Sequence, residues 1–137
     1  MGTIQVRHER NERYVVGIRG HEVVVDQPVS DGGEDTAPTP TELFVAGLAS
    51  CVAFYAGRYL RRHGLATDGL AVDCAWDFAS DRPARVRDIR LRVHLPVGFP
   101  EERRPALLAM VEHCTVHNSI AQAPDIRFEL EAGDRAA

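Results

Sequence analysis

Residues 39–64, TPTELFVAGLASCVAFYAGRYLRRHG, contain the clearest helix signal in the chain. Thr39 is a favourable N-cap residue, Pro40 follows at the first helical position, and Glu42 completes a capping box. Gly64 is a typical residue just beyond a helix C-terminus. Together these signals predict a helix that begins at Pro40 and ends just before Gly64.

No charged residue occurs from position 43 to position 57 within this helix. A helix that is apolar around most of its circumference must be enclosed on several sides, which one small sheet cannot do. We therefore expect a homodimer in which a second copy covers the central helices. We also expect the helix to be too short to span a bilayer.

The segments around this helix predict an α+β, two-layer architecture in a single domain spanning residues 1–137. Period-two alternation or Val-rich composition predicts a three-stranded meander before the helix and two antiparallel strands after it. The predicted strands are residues 5–7, 14–18, 22–26, 70–78 and 89–95. Residues 28–40, rich in Gly and Pro, predict a connection without regular structure.

The C-terminal third is predicted to hold a second helix that opens at Glu101 and Glu102, with acidic residues at its positive dipole end. A break, or a new short helix, is expected near Cys114. Alternation of Ile126, Phe128 and Leu130 with charged residues predicts a last strand, and residues 133–137 a frayed tail.

The charge and the N-terminus limit the choice of partners and compartment. The formal net charge of −4 provides no electrostatic reason to expect nucleic acid or an anionic membrane. A small-molecule substrate is the better expectation. Residues 1–10 have no hydrophobic signal region, so we expect a cytoplasmic protein whose thiols are kept reduced.

Three cysteines are candidates for chemistry. Cys51 lies within the apolar helix, where it is either a reactive thiol or a buried small hydrophobe. Cys114 lies where a helix start would offer main-chain N–H groups to a thiolate. Its neighbours His113 and His117 also permit a zinc interpretation, but no second ligand pair is present and no metal is predicted. Cys74 is interpreted as an inert, packed thiol.

Two motifs resemble the OsmC/Ohr family of osmotically inducible and organic hydroperoxide resistance proteins, in its OsmC-like branch. Residues 37–51, APTPTELFVAGLASC, resemble the family's Pro-x-Glu-Leu helix start followed by small residues and a reactive cysteine. Residues 113–117, HCTVH, resemble the segment around the second family cysteine, although Thr115 stands where the family usually has Pro. The spacing of about 60 residues between the cysteines also fits.

The resemblance implies an OsmC-like fold, an intertwined homodimer and a thiol peroxidase that reduces organic hydroperoxides. Cys51 is then the attacking thiol and Cys114 the resolving thiol that captures the sulfenic acid as a disulfide. A dithiol, as on lipoylated proteins, is the implied reductant, and no cofactor is implied.

The resemblance also implies that Glu42 pairs with an arginine to activate the attacking thiol. Arg10, in the predicted turn between the first two strands, is the best match, with Arg13 and Arg19 as substitutes. The expected substrate-lining residues are apolar or aromatic side chains, which solvate an alkyl tail: Phe44, Leu48, Phe54 and Tyr55. The alternative function is a non-catalytic OsmC-like protein that binds a hydrophobic small molecule, with Cys51 merely lining the pocket.

Overall fold

The computed structural model describes residues 1–133 and has the α+β architecture expected from the sequence. The elements, in chain order, are β1 (Gln5–Arg10), β2 (Arg13–Ile18), β3 (His21–Val25), α1 (Pro40–Arg62), β4 (Ala71–Phe78), β5 (Val86–His94), α2 (Arg104–Val111) and α3 (Thr115–Ala121). Single 3-10 turns cover Val29–Asp31 and Glu101–Arg103. The predicted frayed tail lies almost entirely outside the described residues.

The first three strands form the predicted antiparallel meander in the order β1-β2-β3. Val15 of β2 pairs with Arg7 of β1 on one side and with Val24 of β3 on the other. β1 is longer than predicted, because pairing continues to Arg10 opposite Arg13. Asn11 turns the chain there with a φ of 46°, a left-handed conformation that Asn tolerates better than most residues.

The connection between β3 and α1 is irregular, as predicted, apart from the one 3-10 turn. Its base is organised by Asp26, whose side chain is buried at 1% exposure. The Asp26 carboxylate accepts hydrogen bonds from the backbone N–H groups of Gln27 and Thr36, at 2.7 and 3.0 Å, and from the Thr36 hydroxyl at 2.5 Å. These bonds, led by the Thr36 hydroxyl, lower the pKa of Asp26 to about 2.

α1 begins with the predicted capping box and ends as expected before Gly64, which has a φ of 64°. The Thr39 hydroxyl accepts from the Glu42 N–H at 3.1 Å, and the Glu42 carboxylate accepts from the Thr39 N–H at 2.9 Å. The expectation that this helix is too short for a bilayer is wrong, since its 23 residues suffice by length and composition. In this fold it is instead packed, with Leu60 and Ala56 fully buried.

β4 and β5 form a separate two-stranded antiparallel sheet that packs on α1. The prediction of inward-facing alternate residues is confirmed for Val72, Cys74 and Trp76, which are partly buried, whereas Phe78 at the strand end is exposed. α2 and α3 cover the neighbouring side of α1. The second helix starts at Arg104, one 3-10 turn later than the predicted start at Glu101.

The predicted last strand is wrong for the chain as described. Residues 122–133 follow an irregular path without a sheet partner, and Ile126, Phe128 and Leu130 are 70%, 90% and 100% exposed. Alternation sets which side chains would face a core, but a strand also needs a neighbouring edge to satisfy its backbone groups. Within residues 1–133 this segment pairs with none of the sheet edges.

Candidate active site

The first thiol of the site lies in the middle of α1. Leu48 and Val52, on either side of Cys51 along the helix, are buried against the β4-β5 sheet and α2. Cys51 itself is only half-buried and packs on the edge of the same core cluster. Its sulfur is thus surrounded largely by apolar groups while remaining within reach of a small molecule.

The second thiol lies at the break between α2 and α3. Cys114 has an extended backbone and acts as the N-cap of α3, where its sulfur accepts a hydrogen bond from the His117 N–H at 3.3 Å. The expected main-chain donor is therefore present. The side chain is nevertheless 0% exposed, and this burial outweighs the hydrogen bond and raises the pKa of Cys114 above its ordinary value.

Folding brings these two thiols close together. Cys51 packs against the buried core cluster that contains Cys114, and after burial itself the nearby Cys51 thiol also raises the pKa of Cys114. Both are free cysteines. With its raised pKa, Cys114 is a neutral thiol at neutral pH. Cys51, the more exposed of the two, is the thiol that an incoming molecule meets first.

One hydroxyl pair joins α1 to the chain segment that carries Cys114. Tyr55 lies one helical turn after Cys51, and Thr115 follows Cys114 directly. Their hydroxyl oxygens are 2.9 Å apart, a hydrogen-bonding distance. The contact between Tyr55 and Thr115 was not predicted from the sequence, although the position of Thr115 next to a candidate thiol was a usable signal.

An apolar cavity of about 260 Å³ is lined in part by residues close to the two thiols in sequence, although neither Cys51 nor Cys114 lines it. It is bounded by α1, β5, α2 and the start of α3, through Leu48, Val52, Ile89, Leu91, Val93, Leu108, Val111, Glu112 and His117. A second groove of about 390 Å³, between β5 and α2, shares three of these apolar residues. Pockets of this size and lining suit a small, mainly apolar ligand with one polar group.

The expected substrate-lining residues occupy different surroundings. Leu48 lines the cavity, and Tyr55 contributes the hydroxyl that meets Thr115. Phe44 and Phe54 are 47% and 53% exposed on the outer surface of α1. Within one described chain they do not line the cavity.

The residues expected to activate Cys51 are engaged elsewhere within residues 1–133. The Glu42 carboxylate is part of the capping box. Arg10 pairs with Glu34 at 3.1 Å, and Arg13 donates to the Thr36 hydroxyl at 2.7 Å. Arg19 occupies the β2–β3 turn with a φ of 49°. The contacts described for these side chains do not connect any of them to Cys51.

The remaining thiol and the two histidines offer no second centre in the described part of the chain. Cys74 lies on the core side of β4, where burial raises its pKa. His113 and His117 flank Cys114 in sequence, but the His117 ring bonds to the Glu112 carbonyl. No three potential metal ligands lie together among residues 1–133.

Comparison with known proteins gives a family and a fold. Residues 32–129 match the family model described as OsmC-like protein. A comparison with curated proteins finds no match.

Several solved structures share the fold at low sequence identity, which carries no functional conclusion. A Psychrobacter arcticus protein, described as a candidate osmotic stress induced and detoxification response protein, superposes with a TM-score of 0.79 at 23% identity, over 87% of this chain and 88% of that one. An organic hydroperoxide resistance protein OsmC from Legionella pneumophila gives 0.67 at 20%, covering 88% of each chain. An OsmC-like protein from Mycoplasma pneumoniae gives 0.73 at 15%, covering 90% and 89%. By its family match, which spans more than half of its length, the chain belongs to the OsmC-like protein family.

Proposed function

We propose that this protein is a thiol-dependent peroxidase that reduces organic hydroperoxides. The observation that carries the proposal is the proximity of Cys51 and Cys114 at one core cluster, although the two thiols are about 60 residues apart in the sequence. Their unequal burial gives them different roles. Cys51 is accessible enough to attack a substrate, whereas Cys114 is enclosed and attacks only a neighbour.

The proposed reaction consumes one hydroperoxide and two thiols. The Cys51 thiolate attacks the terminal oxygen of the hydroperoxide and the O–O bond breaks. That oxygen stays on the sulfur as a sulfenic acid, and the alkyl-bound oxygen leaves as an alkoxide that is protonated to the alcohol. The Cys114 sulfur then attacks the Cys51 sulfur. An S–S bond forms, and the sulfenic hydroxyl leaves with the Cys114 proton as water. A dithiol reductant, such as a lipoyl group on a protein, returns both cysteines to thiols by exchange.

The apolar cavity supports an organic rather than an inorganic peroxide. Its walls, including Leu48, Val52 and Leu91, can solvate an alkyl group. Hydrogen peroxide has no group that would benefit from these walls. The ratio of kcat/KM for cumene hydroperoxide over hydrogen peroxide measures this preference, and we expect it to exceed one by at least an order of magnitude.

The contacts described within one chain do not connect Glu42 or Arg10 to Cys51. Glu42 caps α1 about two and a half turns before Cys51, and Arg10 of β1 is paired with Glu34 of the β3–α1 connection. Their participation in activating Cys51 therefore requires a second copy or a rearrangement on substrate binding. Replacing Glu42 with Gln retains the capping acceptor but removes the charge, so a fall in peroxidase rate without a fall in Tm would support its participation.

The decisive experiment treats reduced protein with cumene hydroperoxide and follows thiols and disulfides by peptide mass mapping. We expect two thiols to disappear per peroxide and a Cys51–Cys114 disulfide to form. Cys51→Ser should abolish the reaction, whereas Cys114→Ser should react once and stop at the Cys51 sulfenic acid. Cys74→Ser is the matched control and should behave like the natural protein. Thiols that persist in the presence of peroxide would reject the proposal.

The alternative is a binding protein for a hydrophobic small molecule, which the two apolar pockets would also suit. In that case Cys51 is a wall residue. Cys51→Ser should then leave the affinity for an apolar fluorescent probe within about twofold, and no peroxide would be consumed.

We further propose that two copies form a dimer that covers surfaces left open in one chain. α1 packs on β4, β5, α2 and α3, but the meander makes no comparable contact with it. Phe44 and Phe54 consequently remain half-exposed on α1. A sheet or helix with an unpaired apolar face requires cover, and a second copy is the simplest source.

The C-terminal segment suggests where the copies exchange contacts. β5 pairs only with β4 in the described chain, so its other edge is free. Residues 126–131 of a second copy could add to that edge as a strand. Phe128 would then extend the apolar row of β5, and Glu129 would face the exposed β5 residues Arg90 and Arg92. Edge addition would satisfy the backbone groups of both segments.

Light scattering coupled to size-exclusion chromatography tests the dimer. We expect a mass twice that of the chain, reduced toward one chain by Phe128→Lys, which places a charge in the apolar row. Arg127→Lys is the matched control and should leave the mass unchanged. A stable monomer of the natural protein at the concentrations used for the peroxidase assay would overturn this part.

The proposed reductant and compartment can be tested with the same protein. We propose a cytoplasmic enzyme that draws on a dithiol and has neither a nucleic acid nor a membrane as partner. Dihydrolipoamide should sustain more turnovers than the same concentration of glutathione, because a dithiol completes the exchange within one molecule. Equal rates with both reductants would contradict the dithiol preference.

A further inference from the structure

We infer that the hydrogen bond between Tyr55 and Thr115 is a positioning device that keeps Cys114 next to Cys51 for the resolving step. The inference rests on the proposed function and adds two residues to it. Neither residue takes part in the bond changes at the two sulfur atoms. Their role is to hold the segment that carries the second thiol against the helix that carries the first.

The placement of the two residues is what makes this role specific. Tyr55 shares a face of α1 with Cys51, since residues four apart lie one turn above each other. Thr115 is joined to Cys114 by a single peptide bond. Their 2.9 Å contact therefore links the two helices within one residue or one turn of each thiol. It is the one side-chain hydrogen bond described between α1 and α3 within residues 1–133.

α3 has few other means of holding its position on α1. It has seven residues, none of them fully buried, and only Val116 among them packs on the core cluster. Its remaining polar ties run backward to the end of α2. The Asn118 amide donates to the His113 carbonyl, and the His117 ring contacts the Glu112 carbonyl. These ties shape the turn around Cys114 but do not reach α1, so apart from the hydroxyl pair the segment is held on α1 by apolar packing of Cys114 and Val116.

Loss of the hydroxyl contact should therefore slow disulfide formation more than peroxide attack. The resolving step joins the two sulfurs in a covalent bond. This requires the Cα atoms of Cys51 and Cys114 to lie within about 7 Å of each other. A near-attack arrangement held by fixed groups raises the local concentration of the second thiol. The net free energy of one hydrogen bond corresponds to about a two- to tenfold change in the population of such an arrangement. The first step involves Cys51 and the peroxide alone.

The experiment is a single turnover with one equivalent of cumene hydroperoxide in the presence of dimedone, which traps sulfenic acid. Mass spectrometry gives the ratio of trapped Cys51 to Cys51–Cys114 disulfide, and peroxide consumption gives the rate of the first step. Thr115→Val, which keeps the branched shape but lacks the hydroxyl, should raise the trapped ratio about two- to tenfold. The first-step rate should be unchanged. Thr115→Ser, which retains a hydroxyl, should restore the ratio.

Two further variants separate positioning from general destabilisation. Tyr55→Phe should raise the trapped ratio by a similar factor, and the double variant should rise no further than either single one, because both remove the same contact. Ser119→Ala is the matched control, since its hydroxyl bonds to the Thr115 carbonyl within α3 at 2.9 Å. It should leave the ratio at the natural value.

The outcomes distinguish this inference from the proposed function. An unchanged ratio in Thr115→Val, or additive rises in the double variant, would overturn the positioning role while the disulfide still forms in the natural protein. If the natural protein forms neither the dimedone adduct nor the disulfide, the peroxidase proposal and this inference both fail.

Discussion

Cys114 in the thiol site and Asp26 at the base of the β3–α1 loop are both buried, yet their pKa values are shifted in opposite directions. Cys114 is enclosed mainly by apolar side chains, and the cost of placing a thiolate there raises its pKa. Asp26 is just as inaccessible, but the donors aimed at its carboxylate lower its pKa to about 2. The number and direction of hydrogen-bond donors, rather than burial itself, decide whether a charge is stable in this protein.

The largest predicted effect is the loss of apolar packing in the core cluster around α1. Leu60 is fully buried in the core cluster that also contains Cys114. Leu60→Ala should reduce the free energy of unfolding by about 2–5 kcal/mol, because it removes apolar contacts and leaves a cavity. Urea denaturation measures this change.

The control for that prediction is Leu108, an exposed leucine on the neighbouring helix α2. Leu108 is 56% exposed on α2, so Leu108→Ala should lose less than about 1 kcal/mol. Equal losses from the two substitutions would mean that the thiol pocket does not depend on apolar enclosure.

The next effect concerns the polar side of the comparison, at Asp26. The pKa of Asp26 is about 2 in the folded protein, whereas the ordinary value, expected in the unfolded chain, is 3.8. Ionised Asp26 therefore stabilises the fold at pH values above 3.8. This contribution disappears as the pH falls toward 2. Asp26→Asn should lower Tm at neutral pH and flatten the dependence of Tm on pH between about 4 and 2. Differential scanning calorimetry over that pH range measures both changes.

Asp31→Asn is the matched substitution, because Asp31 lies in the same loop but is exposed. It should change Tm little and preserve the pH dependence. If Asp26→Asn behaved in the same way, the hydrogen bonds at the loop base would not stabilise the fold.

The smallest predicted perturbation leaves the fold intact and compares the two thiols directly. Iodoacetamide reacts with accessible thiolates, so it should label Cys51 first in the reduced, folded protein and Cys114 at least about tenfold more slowly. Raising the pH through 9 should accelerate Cys114 less than a free cysteine, since its pKa is raised by burial. Peptide mapping after timed quenching gives both rates, and faster labelling of Cys114 would reverse the assigned roles.

Local signals were sufficient for most elements of this fold. The capping box of Thr39 and Glu42 determines where α1 begins, because the groups involved are three residues apart and need no tertiary partner. Alternation likewise predicted β4 and β5, whose partner strands are adjacent in sequence. The same alternation failed at Phe128, because a strand there requires pairing with a sheet edge, and within residues 1–133 this segment pairs with none.

The two cysteines of the candidate site could be predicted from the sequence, but the residues that surround them could not. Cys51 and Cys114 could be selected by their motifs, which are visible in the sequence. The cavity wall from β5 could not, because Ile89 and Leu91 alternate like any core strand. The pairing of Tyr55 with Thr115 joins residues 60 positions apart and required the packing of α3 on α1.

The amino-acid sequence by itself determined the order of the elements from β1 to α2 and the N-terminal cap of α1. These properties arise from side chains acting on backbone a few residues away. Tertiary structure alone decided that Cys114 is the enclosed thiol, that its pKa is raised, and that Tyr55 and Thr115 meet beside the pair. Solvent exclusion and contacts between distant segments arise only when the helices and the sheet pack together.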